Sequence, residues 1–434
     1  MSGSGFRDLP SDLVRKVVSF SSAKASAFHK TLAFEYRNLF DIIPSLQFTN
    51  IHGDAEGDDF VEFVARISLL DATTRINEVV IEYDVPSDVC QDHLNRLGSF
   101  LDEVARRGIT KLRIRIKADS NTFPCEIFNA KTMRNLEIGE NLRVTSLPQN
   151  ASFPMLDSLK LHSVQFDTPP GQTCVFKKLF SACPVLDSLD IHDVKWGLWK
   201  WGGEIASPSL SVLWIVNTDT ALANDDHTRL VFNTPKLELL YYRDYVPHSY
   251  GVVHLESLII AQLSLHLRMN QAFDATRLIQ GLSNVTTLKL WSADTLTVFS
   301  LFRHAIPMFP NLTELEVNPG NGQECWDFFP ALMDKSPKVK IFSLTGYLHQ
   351  AGCQCLKGYS FLRNSNLEEV YLQIYDRNCL SGISHFLKKC SCLRLMEITS
   401  EIEEGKERNR MVRDLKRMYK KSDGCIVRFG AATI

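Results

Sequence analysis

Apolar residues recur along most of this chain in one short pattern, apolar-x-x-apolar-x-apolar. The middle positions of the clear copies are Leu159, Leu189, Leu213, Leu240, Leu258, Leu288, Leu315, Phe342, Val370 and Met396. Weaker copies, centred on Val79, Leu112 and Leu136, precede them. An apolar-x-apolar run is typical of a strand with one buried face. The pattern therefore predicts a series of short strands that all bury the same face.

One such strand cannot bury its apolar face alone, so the copies are predicted to stack as repeats into one parallel sheet. Prolines such as Pro154 and Pro310 stand just before the motifs, where a missing backbone N–H costs no sheet hydrogen bond. Short helices are predicted between the strands over residues 175–182, 326–333 and 383–389. Leucine-rich repeats are roughly 20–29 residues long. The spacing of the motif copies along this chain therefore predicts a leucine-rich-repeat fold of the α/β class. We expect a solenoid over residues 76–400, with a curved parallel sheet and convex helices.

Residues 1–48 have helical rather than strand periodicity. Apolar side chains follow Pro10 at helical spacing as far as Val18, and a second helical stripe runs from Phe28 to Leu39. So few residues make a poor core of their own, and their surplus apolar surface is expected to meet the repeats or a partner. The pattern predicts a small helical segment over 1–48 and a helical connector over 49–75.

Residues 401–434 are predicted to close the repeat domain. The stretch 401–421 begins acidic and ends basic, which is the order that the dipole of a helix favours. Met411, Leu415 and Tyr419 give this helix an apolar stripe. We therefore predict a C-terminal cap that seals the last repeat.

Composition narrows the classes of partner. The 434 residues carry a formal net charge of −2, so no overall positive field attracts nucleic acid or an anionic membrane. No secretory signal and no apolar run of membrane-spanning length is evident, and we expect a cytoplasmic or nuclear protein. The 11 cysteines lack zinc-finger spacing and are expected to be buried, reduced thiols. No cofactor and no metal is expected.

The sequence also lacks the common catalytic motifs. It has no Gly-x-Ser-x-Gly elbow, no Gly-x-x-x-x-Gly-Lys-Ser/Thr phosphate loop and no His-Glu-x-x-His. Its neighbouring carboxylates, such as Asp58 and Asp59, lie in hydrophilic stretches and are expected to be solvated. We therefore expect a binding protein rather than an enzyme.

Residues between the buried motif positions should point away from the core. One outward row contains Trp214, Tyr241 and Ile259, and strands about 4.8 Å apart would join them into an exposed ridge on the concave face. Aromatic residues beside an arginine are the usual composition of a binding hot spot. The candidate residues for binding an unknown protein substrate are Trp214, Tyr241, Arg243, Ile259, Lys289, Trp291 and Tyr371. The alternative is that a connecting loop covers the ridge.

The run DLPSDLVRKVVSF at residues 8–20 resembles the start of an F-box. The runs RNLF at 37–40 and IPSLQF at 43–48 resemble its end in plant F-box/leucine-rich-repeat proteins, and residues 386–429 resemble the FBD region that closes many of them. In that family the F-box docks on a Skp-type adaptor, which joins cullin and RING subunits in an SCF ubiquitin ligase, and the repeats select the substrate. The resemblance implies a monomer within a larger complex. It implies adaptor contacts from Leu9, Pro10, Leu13, Val17, Val18, Phe20, Leu32, Tyr36, Leu39 and Phe40.

The F-box-like segment departs from the family pattern at two places. Ser21 and Ser22 stand where the family usually has Leu-Pro. Glu35 and Tyr36 stand where it usually has a basic residue and a tryptophan. These departures leave a second hypothesis open, a leucine-rich-repeat interaction scaffold or sensor that no longer recruits the ligase.

Overall fold

The structure is a computed structural model. It describes residues 45–50, 76–84, 90–117, 125–140, 142–167, 174–196, 203–218, 229–320, 327–346, 360, 362, 365–374, 380–400, 406–419, 425–430 and 432–433. The chain divides into two compact units, Met1–Gly203 and Glu204–Ile434.

The first unit is built on a parallel sheet. Its strands are β1 (Ser45–Asn50), β2 (Glu78–Asp84), β3 (Lys111–Lys117), β4 (Asn135–Gly139), β5 (Arg143–Val144), β6 (Ser158–His162), β7 (Gln165–Phe166) and β8 (Ser188–His192). The sheet runs in the order β1-β2-β3-β4-β6-β8, and every pairing in it is parallel. Strands β5 and β7 form a separate parallel pair. Two described helices belong to this unit, α1 (Cys90–Arg106) and α2 (Val175–Ser181).

The second unit repeats the same arrangement. Its strands are β9 (Glu204–Ala206), β10 (Val212–Val216), β11 (Arg229–Asn233), β12 (Leu239–Tyr245), β13 (Ser249–His254), β14 (Ile260–His266), β15 (Thr287–Trp291), β16 (Glu314–Gly320), β17 (Ile341–Gly346), β18 (Glu369–Ile374), β19 (Leu395–Ser400), β20 (Ile426–Phe429) and β21 (Ala432–Thr433). Strands β10, β12 and β14 to β20 pair in parallel in that order, and β21 is antiparallel to β20. A second parallel sheet has the order β13-β11-β9.

Helices lie between many of these strands. Those of the second unit are α3 (Thr276–Gly281), α4 (Ala293–Leu301), α5 (Phe328–Asp334), α6 (Leu380–Lys389) and α7 (Lys406–Tyr419). Helices α2, α5 and α6 confirm the three helical segments that the pattern predicts, within a few residues at each end. Ser292 caps the N-terminus of helix α4, because its hydroxyl accepts a hydrogen bond from the backbone N–H of Thr295 and so satisfies a free donor of the first turn.

The predicted α/β class and the parallel leucine-rich-repeat sheet are thus confirmed. The alternation that predicts them is visible in β15, where Leu288 and Leu290 are buried and Lys289 between them is not. In the neighbouring strand the aligned pair is Leu315 and Val317, also buried. Each strand therefore stacks its apolar pair on that of the next strand, which is how repeats share one core.

The sheet begins earlier than the predicted start at residue 76. Strand β1 pairs with β2, and Leu46 and Phe48 align with Val79 and Ile81. In the sequence, Leu46 and Phe48 read as the end of the helical segment 1–48, because the apolar run before them masks the change of period. Residues 49 and 50 continue this strand, and the rest of the predicted connector lies outside the described residues.

At the other end, β20 pairs with β19 in parallel. The predicted helix of the C-terminal cap is α7, with Met411 and Leu415 buried as its apolar stripe requires. The segment after residue 400 therefore adds a helix and one more strand to the sheet.

One predicted motif is out of register. Leu240 aligns with Ala261, and Ala261 aligns with Leu288, so the middle residue of this repeat is Ala261 and not Leu258. The true motif is Leu258-x-x-Ala261-x-Leu263. Leu255 and Leu258 stand three residues before the true motif positions Leu258 and Ala261 and give a false copy of the pattern. The true middle position is not recognised in the sequence because alanine is a small residue. Ala261 is nevertheless fully buried.

Cysteines in the described residues are free thiols, as expected. Burial raises the pKa of Cys183 to about 12 and that of Cys390 to about 11, so both stay protonated at neutral pH. Cys392 is the exception to the expected burial, because its side chain is exposed.

Neighbouring residues on opposite faces of β15 should differ sharply in their contribution to stability. We expect Leu288→Ala to lower the free energy of unfolding by about 2–5 kcal/mol, because it leaves a cavity between two packed strands. Lys289→Ala should cost less than about 1 kcal/mol, since it removes one partly exposed ion pair. Urea denaturation followed by circular dichroism measures both, and equal losses would contradict the assignment of faces.

Candidate functional site

The site is the face of each sheet that the apolar motif residues do not occupy, which we term the open face. In the second unit its first row consists of Trp214, Tyr241, Gln262, Lys289, Glu316, Ser343, Tyr371, Glu397 and Arg428. A second row, two residues further along each strand, contains Val216, Arg243, Ser264, Trp291 and Asn318. The register thus fixes which side chains are neighbours.

Trp214 and Tyr241 form a stacked aromatic pair on adjacent strands. Their ring centroids are 4.6 Å apart and the ring planes are 20° from parallel. Trp214 keeps 38% of its surface exposed, so the alternative that a loop buries the ridge does not hold for this residue. Because the two rings cover each other's facing sides, a partner would pack against the parts of the pair that stay exposed.

Ile259 is not part of this ridge, and its predicted place there is wrong. The residue beside Tyr241 in the next strand is Gln262, as the register of β12 and β14 shows. Ile259 lies before the start of β14, where its backbone N–H donates to the carbonyl oxygen of Glu238 at 2.8 Å. It is exposed, but on the edge where the strands begin. The misplaced motif around Leu258 is the cause.

Gln262 and Arg243 bring hydrogen-bond donors to the side of the aromatic pair. The Gln262 Nε2 and the Arg243 Nε are both buried atoms, and neither has a hydrogen-bond acceptor in the described part of the chain. A buried donor without an acceptor costs free energy, typically about 1–3 kcal/mol. Both groups therefore favour a ligand that supplies an oxygen.

Lys289 and Trp291 are both held by one carboxylate on the next strand. The Lys289 Nζ lies 2.9 Å from Glu316 Oε2, and the Trp291 Nε1 donates to Glu316 Oε1 at 2.9 Å. This bridging fixes both side chains and neutralises the lysine. Together with Glu316, Lys289 and Trp291 therefore form an ordered group on the open face with no net charge.

Tyr371 stands apart from the other candidate residues. It lies five strands beyond Tyr241 in the same row, about 24 Å away at a strand spacing of about 4.8 Å. Its hydroxyl donates to Glu369 Oε2 at 2.6 Å, and this hydrogen bond raises the pKa of Tyr371 to about 12. It belongs to a separate part of the open face.

The open face of the first unit is dominated by paired charges. Glu137 accepts hydrogen bonds from Arg113 Nε at 3.0 Å and from Arg115 Nε at 2.9 Å. Burial alone would raise the pKa of Glu137, but the hydrogen bonds and charges of these two arginines outweigh it and lower the pKa. Further along, the rings of His162 and His192 lie 5.0 Å apart.

Within the described residues, no group of three or more His, Cys, Asp or Glu side chains is arranged to hold a metal ion. None of the described helices has the length and apolar character needed to cross a membrane. The ten predicted adaptor-binding residues, from Leu9 to Phe40, all lie outside the described residues.

Comparisons with known proteins identify the family of this chain. A model described as "FBD-associated F-box protein At5g56370, LRR repeats" matches residues 97–255. F-box/LRR-repeat protein At3g62440 of Arabidopsis thaliana is 32% identical over 453 residues, covering 96% of this chain and 98% of that protein. The chain belongs to the F-box/LRR-repeat family. A second Arabidopsis thaliana relative, F-box/LRR-repeat protein At3g58980, is 34% identical over 434 residues, covering 93% of this chain and 71% of the relative.

Membership in the F-box/LRR-repeat family confirms the family resemblance of the sequence. Proteins of this family are generally non-catalytic adaptors. The family therefore indicates a substrate-adaptor role.

The charge cluster on the first unit makes stability depend on pH. The pKa of Glu137 is lowered in the folded chain, so its ion pairs stabilise the fold above the unfolded pKa of about 4.3 and are lost as pH falls through the lower folded value. We expect Glu137→Gln to cost about 1–3 kcal/mol at pH 7 and progressively less as the pH falls through the lowered pKa of Glu137. Urea denaturation at several pH values measures the difference.

The matched control for this experiment is Glu238→Gln, because Glu238 is exposed and forms no ion pair in the described part of the chain. Its effect should be small and independent of pH. A loss of stability for Glu137→Gln that persists unchanged at acid pH would contradict the electrostatic explanation.

Proposed function

We propose that this chain is the substrate-recognition subunit of an SCF-type ubiquitin ligase. In this proposal the segment 1–48 docks on a Skp-type adaptor and, through it, on cullin and RING subunits. The leucine-rich repeats bind the target protein. The observation that carries the proposal is the similarity to F-box/LRR-repeat proteins along nearly the whole chain, from the F-box-like segment through the repeats.

The arrangement of side chains on the repeats supports this proposal. The repeats offer rows of side chains held at fixed spacing by parallel pairing, and the Trp214–Tyr241 pair gives that face an exposed aromatic centre. Ubiquitin transfer itself would belong to the assembled complex. The proposal includes a chain that is monomeric within that complex, and a cytoplasmic or nuclear location.

The second hypothesis is an interaction scaffold or sensor that no longer recruits the ligase. Four residues favour it, because the F-box-like segment has Ser21, Ser22, Glu35 and Tyr36 where the family usually has other residues. An acidic side chain in place of a basic one reverses the charge that this position offers to a partner. Binding to the adaptor separates the two hypotheses.

We expect the full chain to co-elute with a Skp-type adaptor in size-exclusion chromatography at micromolar concentration. The double variant Leu9→Ala with Pro10→Ala should lose co-elution, because the resemblance places both residues in the adaptor contact. Trp214→Ala is the matched control and should co-elute like the parent, since it alters only the open face of the repeats.

A folded parent chain that fails to co-elute at these concentrations would exclude the ligase proposal and favour the scaffold. Retained co-elution of the Leu9/Pro10 double variant would exclude this segment as the docking site. Circular dichroism of every variant establishes that the repeats are folded in each sample.

A further inference from the structure

Arg243 differs from the other described arginines of the open face in its lack of a carboxylate partner. Arg113 and Arg115 both bind Glu137, and Arg428 lies 4.0 Å from Glu397. Arg243 forms no ion pair with any described residue, and its buried Nε has no acceptor. Carboxylates on neighbouring strands thus neutralise the other described arginines of the open face. No described carboxylate neutralises Arg243.

The nearest carboxylate in sequence does not serve Arg243. Asp244 is the next residue of β12, so its side chain points to the opposite, buried face. There its Oδ1 accepts hydrogen bonds from Asn217 Nδ2 at 3.1 Å and from the backbone N–H of Tyr245 at 2.8 Å. On the open face the next cation, Lys289, is already neutralised by Glu316.

Aromatic and cationic groups here are spaced like alternate residues of an extended peptide. Tyr241 and Arg243 are two residues apart on one strand and project on the same face, about 7 Å from each other. Gln262 lies beside Tyr241 on the next strand, with its buried amide donor also lacking an acceptor among the described residues. A peptide lying along β12 would present its own residues i and i+2 at the same separation.

We propose that this patch, formed by Trp214, Tyr241, Arg243 and Gln262, binds an extended acidic segment of the target protein. An aromatic side chain of the segment stacks on Trp214 and Tyr241. An Asp or Glu two residues away places its carboxylate on Arg243 and accepts from Gln262. The statement that the bound segment belongs to the target protein rests on the proposed substrate-receptor function. Binding of such a segment requires only the repeats.

Charge balance favours a carboxylate over a phosphate as the anion. The patch has one uncompensated guanidinium group, which one carboxylate neutralises. A phosphorylated side chain carries roughly 1.5–2 negative charges at neutral pH. Its second charge would lack a cationic partner among the described residues of the patch.

The test is direct peptide binding to the full chain, measured by isothermal titration calorimetry at low salt. The probe peptide is Gly-Ser-Gly-Trp-Ser-Glu-Gly-Ser-Gly, blocked at both ends so that Glu is the sole charge, together with its reversed sequence. Matched probes replace Glu by Gln, Trp by Ala, or Glu by phosphoserine. We expect saturable binding of a Glu probe, weakened about tenfold or more by Glu to Gln.

Protein variants assign the contacts. Arg243→Gln should weaken the Glu probe about tenfold or more and leave the Gln probe unchanged, and the Trp214→Ala/Tyr241→Ala double variant should weaken both. Arg428→Gln is the matched control, because it removes an open-face arginine that already has a partner. Thermal unfolding of each variant establishes that its fold is intact.

The proposal is overturned if the Glu probes do not bind, or if Glu and Gln probes bind alike. It is also overturned if Arg243→Gln has no more effect than Arg428→Gln, or if the phosphoserine probe binds more tightly. Sedimentation of the parent chain tests whether a second copy of the chain occupies the patch instead. A dimer that the Trp214→Ala/Tyr241→Ala variant abolishes would mean that it does. Lost peptide binding with intact adaptor co-elution defeats this inference alone, and the reverse result defeats the ligase proposal alone.

Discussion

Parallel pairing of short strands is the constraint from which the rest of this structure follows. Each strand offers two apolar side chains to one face, and they are buried only when the next strand places its own pair beside them. Because side chains alternate along a strand, burying Leu288 and Leu290 forces Lys289 and Trp291 to the other face. The stability of the core and the composition of the open face are thus set by one register.

This constraint explains both what the sequence predicts well and where it fails. Motifs with large apolar residues at all three positions mark their strands clearly, and Trp214 and Tyr241 are correctly predicted as neighbours for that reason. The repeat around Ala261 fails because a buried alanine leaves no signal while Leu255 and Leu258 imitate one. Because of that error, the predicted site includes Ile259 and lacks Gln262.

Other features have no signal that a repeat pattern could reveal. Strand β1 directly follows an apolar run that has helical spacing, so only the pairing of Leu46 with Val79 identifies it as part of the sheet. The β9, β11 and β13 strands occupy connections in which the repeat pattern leads one to expect helices. That Arg243 has no ion pair among the described residues depends on which side chains neighbouring strands place beside it, and a single sequence does not align those strands.

Folding and recognition are largely separate in this architecture, and that separation bears on the patch around Arg243. Arg243 is only partly exposed, and its buried Nε has no acceptor among the described residues, so the unbound patch is less stable than one with a bound oxygen would be. An exposed aromatic pair adds little to a core that lies on the other face. The inner leucines therefore leave the open-face residues free to vary, and one register can carry different recognition surfaces.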